Sequence, residues 1–512
     1  MKFNRTKNAT RNIFFGIILK LYHILVPFLM RTALIYLLGV EYLGLDSLFT
    51  SILSVLNLAE LGVGSAMVYS MYRPIIRDDG ETICALMNLY KRYYRMIGLV
   101  VLASGLILCP FVPKLIAGST PAGINIYILY LLNLGTTVLS YWLFAYKNCL
   151  LQAHQRSDIV SKIMLIVQTG RYVLQFVLLF LTHNYYLYLI VTLLSQAVIN
   201  VVTSIVADKM YPQYRAIGVL DKAAKKDINH RITDLFTAKI GAVIVDSVDT
   251  IVISAFLGLT VLAVYQNYFY ILTAITGLIN VIMTSCLAGI GNSIATESKE
   301  KNYRDLRIFT LIIVWIAGIC TALLLTMFQP FIKLWVGEKY MFEFSAVVCF
   351  CVYFFVKQIN TLLNLYKDAA GMWHEDRFRP LVTAAANLVM NLIMVQFWGI
   401  YGILLSTVLS MLFVGMPWIL RNLFTVLFDR AELRNYLKML LLYVLITGAA
   451  CAASALLGHL LPGDGILLLV LRMIVTLVVS NLIFFAALHR TTDFKKGMDI
   501  LKGTLAGKLK RR

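Results

Sequence analysis

Charge is what this sequence has least of: 14% of its 512 residues are Asp, Glu, Lys or Arg, against about one-quarter in a soluble domain. With 60% hydrophobic residues and a mean hydropathy of +0.79, the chain has too few polar side chains to cover a water-facing surface, which excludes a soluble globular protein. Acidic residues are scarcer still, 26 against 46 Lys and Arg. Such an excess would suit nucleic acid if it formed a patch, but it is spread over short segments between apolar runs, so no nucleic-acid partner is expected. The eight cysteines lie mostly inside those runs at no metal-ligand or redox spacing, and Cys349-x-Cys351 is one residue short of a redox pair. No metal site and no cofactor are expected. The alternation of a membrane β-barrel is missing. So is any long polar loop with paired carboxylates, a His cluster or a nucleophile motif, which argues against a membrane polymerase or ligase. The N-terminus, with Lys2, Arg5, Lys7 and Arg11 before a long apolar run, lacks a short apolar core and cleavage site, and is expected to be a retained first span.

What is present is a succession of apolar runs of roughly 20 residues, each able to cross a bilayer as helix. They predict an all-α polytopic membrane protein of about fourteen spans: 12–38, 44–72, 86–112, 123–150, 159–182, 185–208, 235–257, 260–291, 308–331, 343–366, 380–397, 399–422, 437–460 and 465–488. Alternate loops separate the charges. Nearly all Lys and Arg fall on the side of both termini, whereas the opposite loops hold little beyond Lys114, Lys333 and Lys339. Positive loops stay inside, so both termini are expected in the cytoplasm of a bacterial inner-membrane protein.

At an offset of 219 the sequence overlies itself. Leu38-Gly39-Val40 meets Leu257-Gly258-Leu259, and Lys20 meets Lys239. Two pseudo-symmetric six-helix lobes around a central cavity are therefore expected, with two further helices. The boundaries are 1–208 for the first lobe, 209–234 for a basic cytoplasmic linker, 235–424 for the second lobe, 425–490 for the last two spans and 491–512 for a basic tail. In that tail Phe494, Met498, Leu501 and Leu505 form a stripe, which reads as an amphipathic helix on the anionic leaflet or as a disordered basic segment.

Ionisable residues inside spans are costly and by default face a bundle interior or a wet cavity. Span one carries Lys20 and Arg31 on one face with Pro27 between them, where a kink is expected. Span two carries Glu60 on a stripe with Asn57 and Gly64. Arg171 is central in span five, Lys239, Asp246 and Asp249 lie in span seven, and span ten presents Lys357, Asn360 and Asn364 at helical spacing. Two readings stand. These groups pair to hold helices together, or the surplus cations bind a phosphate-bearing cargo while Glu60, Asp246 and Asp249 couple transport to Na+ or H+. Arg472 in the last span stands outside the repeat. The aromatic run Tyr265-Gln266-Asn267-Tyr268 offers Gln266 and Asn267 as contacts for a sugar.

The runs Leu58-Ala59-Glu60-Leu61-Gly62-Val63-Gly64-Ser65-Ala66 and Thr237-Ala238-Lys239-Ile240-Gly241-Ala242-Val243 through Asp249-Thr250-Ile251-Val252-Ile253-Ser254 resemble the second and seventh helices of Wzx-type polysaccharide flippases. The resemblance implies the multidrug/oligosaccharidyl-lipid/polysaccharide exporter fold and an undecaprenyl-pyrophosphate-linked oligosaccharide as cargo. It implies membrane lipids, a polysaccharide polymerase and glycosyltransferases as partners. Glu60, Lys239 and Asp249 fall on its motifs. A cation-coupled multidrug or toxin antiporter of the same superfamily is the alternative, less suited to fourteen spans and surplus cations.

Overall fold

The computed structural model describes residues 5–118, 120–461, 463 and 465–498, with the side chains of 5–14, 17, 238, 239 and 242 not among those described. Lys239 and the tail beyond 498 therefore lie outside the described side chains. Among the described residues every regular element is helical. In chain order these are α1 (Arg5–Leu37), α2 (Val40–Leu56), α3 (Val63–Ile76), α4 (Gly80–Leu108), α5 (Ile126–Trp142), α6 (Asn148–Ala153), α7 (Ser157–Thr182), α8 (Tyr185–Met210), α9 (Lys222–Leu257), α10 (Leu259–Thr296), α11 (Lys299–Val336), α12 (Phe344–Ala369), α13 (Trp373–Asp376), α14 (Arg379–Trp398), α15 (Ile400–Ser410), α16 (Met416–Val426), α17 (Glu432–His459) and α18 (Ile466–Leu488).

Twelve described helices or helix runs are long and apolar enough to cross a membrane, thirteen when the bent pair α5–α6 is taken as one. The remaining expected span, 235–257, is the second part of the 36-residue α9. It carries Lys239, Asp246 and Asp249 within a single bilayer length, which weakens its apolar signal. The basic segment before it is largely helical: only 211–221 is irregular, and Lys222, Lys225, Lys226 and Arg231 belong to the first turns of α9. Helix α1 runs through Pro27 without a break. The two turns paired by the sequence repeat both form, Gly39 at φ 118 before α2 and Gly258 at φ 87 before α10.

The chain divides into two compact units, 1–263 and 264–512. In the first, α7 packs on α8 and α1, α5 on α4 and α8, and α9 on α2 and α3. Two spans expected to be continuous are interrupted. After α2 the chain tightens into a narrow turn, Asn57–Glu60, then reverses handedness at Gly62, φ 89. Only glycine fits there. A Cβ would stand 2.7 Å from the Leu235 Cβ and 3.1 Å from the Ile232 carbonyl oxygen, so α9 passes directly against bare backbone. The second break follows α5, where Phe144 takes φ 54 and α6 leaves at 48°.

In the second unit α11 packs on α12, α17 and α18, and α12 on α15. Among the described residues its spans are unbroken except for one wide turn, Met411–Gly415, between α15 and α16, just ahead of Pro417, which has no N–H to continue a regular ladder.

Candidate functional site

The two breaks in the first unit open onto the same cavity, of about 500 Å³. Interrupted spans free backbone groups and make room for polar side chains at a depth where a regular helix would bury them. Glu60, at the end of the narrow turn, projects into this space. Tyr94 of α4 donates its hydroxyl proton to Glu60 Oε1 at 3.0 Å. Tyr90, one turn earlier on α4, donates to Tyr94 in turn. The two rings lie 4.2 Å apart, and Tyr141 of α5 meets Tyr94 edge-on at 5.5 Å. Gly64 leaves this cluster open, since a Cβ there would come within 3.1 Å of the Tyr90 hydroxyl.

Amides supply much of the remaining polar lining. Asn200 of α8 donates to the carbonyls of Leu139 and Ser140, both at 3.2 Å, and accepts from Gln196 at 3.2 Å. It thereby adds a side-chain donor to carbonyls at the end of α5, where Leu139 also accepts from the Leu143 N–H at 3.1 Å. Asn148 and Gln152 of α6 line the same wall, and Gln168 of α7, bonded to His23 at 2.8 Å, closes another. Among the described side chains that line it there is no Lys or Arg. The arrangement is one carboxylate, three tyrosines and several amides, groups that hydrogen-bond hydroxyls and attract a cation or proton.

Of the cations named from sequence, Lys20, Arg31, Arg171 and Lys357 are not among the lining residues, and Lys239 lies outside the described side chains. Lys20 is exposed on α1. Arg31 of α1 and Arg171 of α7 both act electrostatically on Asp46 of α2, which accepts from the Tyr185 hydroxyl at 3.3 Å. The Arg171 guanidinium also lies 4.2 Å over the Tyr172 ring. Asp46 was not singled out from sequence, because it stands two positions inside the expected start of span two, where an acid passes for an interfacial residue. Asp246 is exposed on α9 and Asp249 is buried.

In the second unit Lys357 donates to the Tyr353 hydroxyl at 2.8 Å and lies 5.9 Å from the Phe269 ring centroid. Asn364 is engaged at its Oδ1 by Arg379 at 2.6 Å. Its amide nitrogen bonds the Asn360 main-chain carbonyl, and the Asn360 Oδ1 is buried without a hydrogen bond among the described residues. The aromatic run of α10 is mostly interior. Tyr268 stacks on Phe350 at 5.3 Å, Tyr265 and Asn267 are buried with it, and Gln266 is half-buried. Among the described residues no group of His, Cys, Asp and Glu is placed to hold a metal ion.

The sequence matches, over residues 9–288, the family described as polysaccharide biosynthesis protein. No curated protein matches it in sequence. Among solved structures the chain is similar to the lipid II flippase MurJ in an inward closed conformation. That match is 15% identical, covers 93% of this chain and 100% of that one, and has a TM-score of 0.67. It is also similar to an inward-facing multidrug resistance MATE transporter of the MOP superfamily, at 12% identity, 82% and 99% coverage and a TM-score of 0.58. A Vibrio cholerae MATE transporter follows at 14%, 82% and 98%, with a TM-score of 0.54. At these identities the likeness is one of fold. The matched family model spans more than half the chain, and this protein, a multi-pass membrane protein by its helices, therefore belongs to the polysaccharide biosynthesis protein family.

Proposed function

We propose that the protein moves an undecaprenyl-pyrophosphate-linked oligosaccharide from the cytoplasmic to the outer leaflet of a bacterial inner membrane, with both termini in the cytoplasm. The observation that carries this reading is the cavity between the two broken spans, in a chain whose family is one of polysaccharide biosynthesis. Its amides and phenols, Asn148, Gln152, Gln168, Asn200, Tyr90 and Tyr141, are what sugar hydroxyls hydrogen-bond to in a water-poor site. Glu60, joined to two tyrosines, is the coupling group for H+ or Na+, with Asp246 and Asp249 on α9 as further candidates. Contact with the pyrophosphate is assigned to the cations of the spans, Lys20, Arg31, Arg171, Lys239 and Lys357. Glycosyltransferases upstream and a polymerase downstream would supply and consume the cargo.

One observation favours a second reading. A carboxylate hydrogen-bonded to tyrosines beside a cavity of about 500 Å³ would also hold a cationic solute, as an antiporter requires. Proteoliposomes separate the two. With undecaprenyl-pyrophosphate-linked oligosaccharide in the membrane, a glycosidase added outside should cleave about half the glycan of empty vesicles and nearly all of it once the protein is present. Unchanged glycan protection together with proton-driven ethidium transport would replace the flippase by the antiporter.

A further inference from the structure

Arg472 is the one charged residue of α18, and in lipid such a group needs a reason. Its Nη2 donates to the carbonyls of Leu461 and Gly463 in the α17–α18 turn, at 2.6 and 3.2 Å. That caps the turn but leaves the Nε buried with no hydrogen-bond partner among the described residues. On α11, Lys333 faces the same space. These two cations, with Pro330, line two adjoining hollows of about 550 and 240 Å³. The larger runs between α11 and α17 and is bordered by His459 and by Glu338, whose carboxylate is 3.8 Å from the Lys333 ammonium. The smaller runs along α18 past Leu468 and Leu469. Gly458 faces the larger hollow, and a Cβ there would meet nothing within 4 Å.

All of these residues lie at one end of the second unit, where α11 and α17 finish and α18 begins. That end is opposite the basic loops. We propose that this is a binding site for the phosphate headgroup of an anionic diacyl phospholipid. Lys333 and Arg472 hold the phosphate as charge-assisted donors, and the two hollows flanking them receive the glycerol and the first carbons of the two chains. A pair of hollows on either side of one cationic centre suits two acyl chains. A single prenyl chain would fill one.

The site is tested on the full-length protein, purified in maltoside detergent and examined by native mass spectrometry. Four probes are added in turn: phosphatidylglycerol, phosphatidylcholine, undecaprenyl phosphate and inorganic phosphate. Wild type should retain one phosphatidylglycerol molecule in preference to the others. Lys333→Gln and Arg472→Gln should each weaken that retention about tenfold, as loss of one charged hydrogen bond does. Gly458→Leu fills the larger hollow without touching a charge or the turn, so it reports on the site even where Arg472→Gln destabilises the α17–α18 turn. It should lower retention as much. Equal phosphatidylglycerol binding by folded Lys333→Gln and Gly458→Leu proteins would overturn the site. Preferential retention of undecaprenyl phosphate or of inorganic phosphate would overturn its assignment to a diacyl lipid.

Discussion

Each unit buries a carboxylate where a connecting turn leads into a new span, and the two are held in different ways. In the second unit Asp376 accepts from the Arg379 Nε at 2.6 Å and Nη2 at 2.7 Å, and Lys367 stands 3.6 Å away. All three side chains are nearly sealed from solvent, at 2%, 7% and 11% exposure. In the first unit Asp158 is fully buried, but two of its partners are not. Arg156 at 3.1 Å is 27% exposed and Lys162 at 3.8 Å is 45% exposed. The acids are 218 positions apart, within one residue of the repeat offset. Each follows a left-handed residue, Gln155 at φ 57 and Gly371 at φ 68. The difference runs with the rest of each unit: the first has the broken spans, the acid-and-tyrosine cavity and loosely tied ion pairs, and the second has nearly continuous spans and a sealed ionic knot. Equivalent positions can thus serve as a hinge-like end in one unit and a rigid end in the other.

The largest effect should come from cutting the sealed knot. Asp376→Asn strands the buried Arg379 guanidinium, while Lys367 keeps Asp368 at 2.8 Å, and breaking a buried pair this way costs roughly 3–5 kcal/mol. Asp158→Asn leaves Arg156 and Lys162 able to turn to water, at about 1–2 kcal/mol. Thermal unfolding of both variants in detergent measures the gap. Equal losses would remove the contrast between the units.

The second effect concerns transport. Glu60→Gln keeps an acceptor for Tyr94 but removes the charge, and should lower glycan flipping about tenfold, the worth of one charged hydrogen bond, while flattening its pH or sodium dependence. Lys357→Gln should weaken transport of a phosphate-bearing cargo and leave the ion dependence intact. Flipping assays at two pH values and two sodium concentrations separate these outcomes. An ion profile unchanged in Glu60→Gln would return that acid to a purely structural role.

How far this could be read from sequence varied with the physical signal. Hydropathy locates the spans because lipid imposes one length and one polarity on all of them, and it fails at α9 because three ionisable residues break the run. The helix breaks were hidden for the opposite reason. Leu58, Leu61, Leu143 and Phe144 carry the apolar pattern straight through them, and the left-handed Phe144 has no glycine to mark it. Gly62 was a signal that could have been used, being next to an intramembrane acid. Glu60 was legible as a charge in lipid, whereas Tyr90 and Tyr94 were not legible as its partners. Tyrosines four apart on a span look the same whether they anchor an interface or line a cavity. The pairing of Arg31 and Arg171 through Asp46 needed three helices to be placed, which spacing along one helix cannot do.

The smallest effect should come from the first unit's looser end, where His154 follows α6 and packs on the irregular segment before α9. Its ring lies 4.2 Å from that of Tyr211 and 5.9 Å from that of Tyr214, with Nδ1 2.8 Å from the Leu150 carbonyl. Burial pushes its pKa below the ordinary histidine value, opposed only in part by that carbonyl, which favours the protonated ring. The folded state therefore binds a proton less readily than the unfolded chain. The contribution of the neutral ring is complete above the unfolded pKa, about 6.5, and is lost as pH falls through the lower folded value. Arg156 and Asp158 are the charged groups near this stack. Thermal unfolding of wild type should drop on acidification across that interval, and His154→Gln should show a smaller drop. The second unit also has a histidine at the corresponding turn, but His374 is exposed whereas His154 is buried, so acid should loosen the first unit's end alone. Hydrogen exchange at the two turns, followed from pH 7.5 to 5.5, would reveal that asymmetry as faster exchange around 211–214 with no change around 371–376.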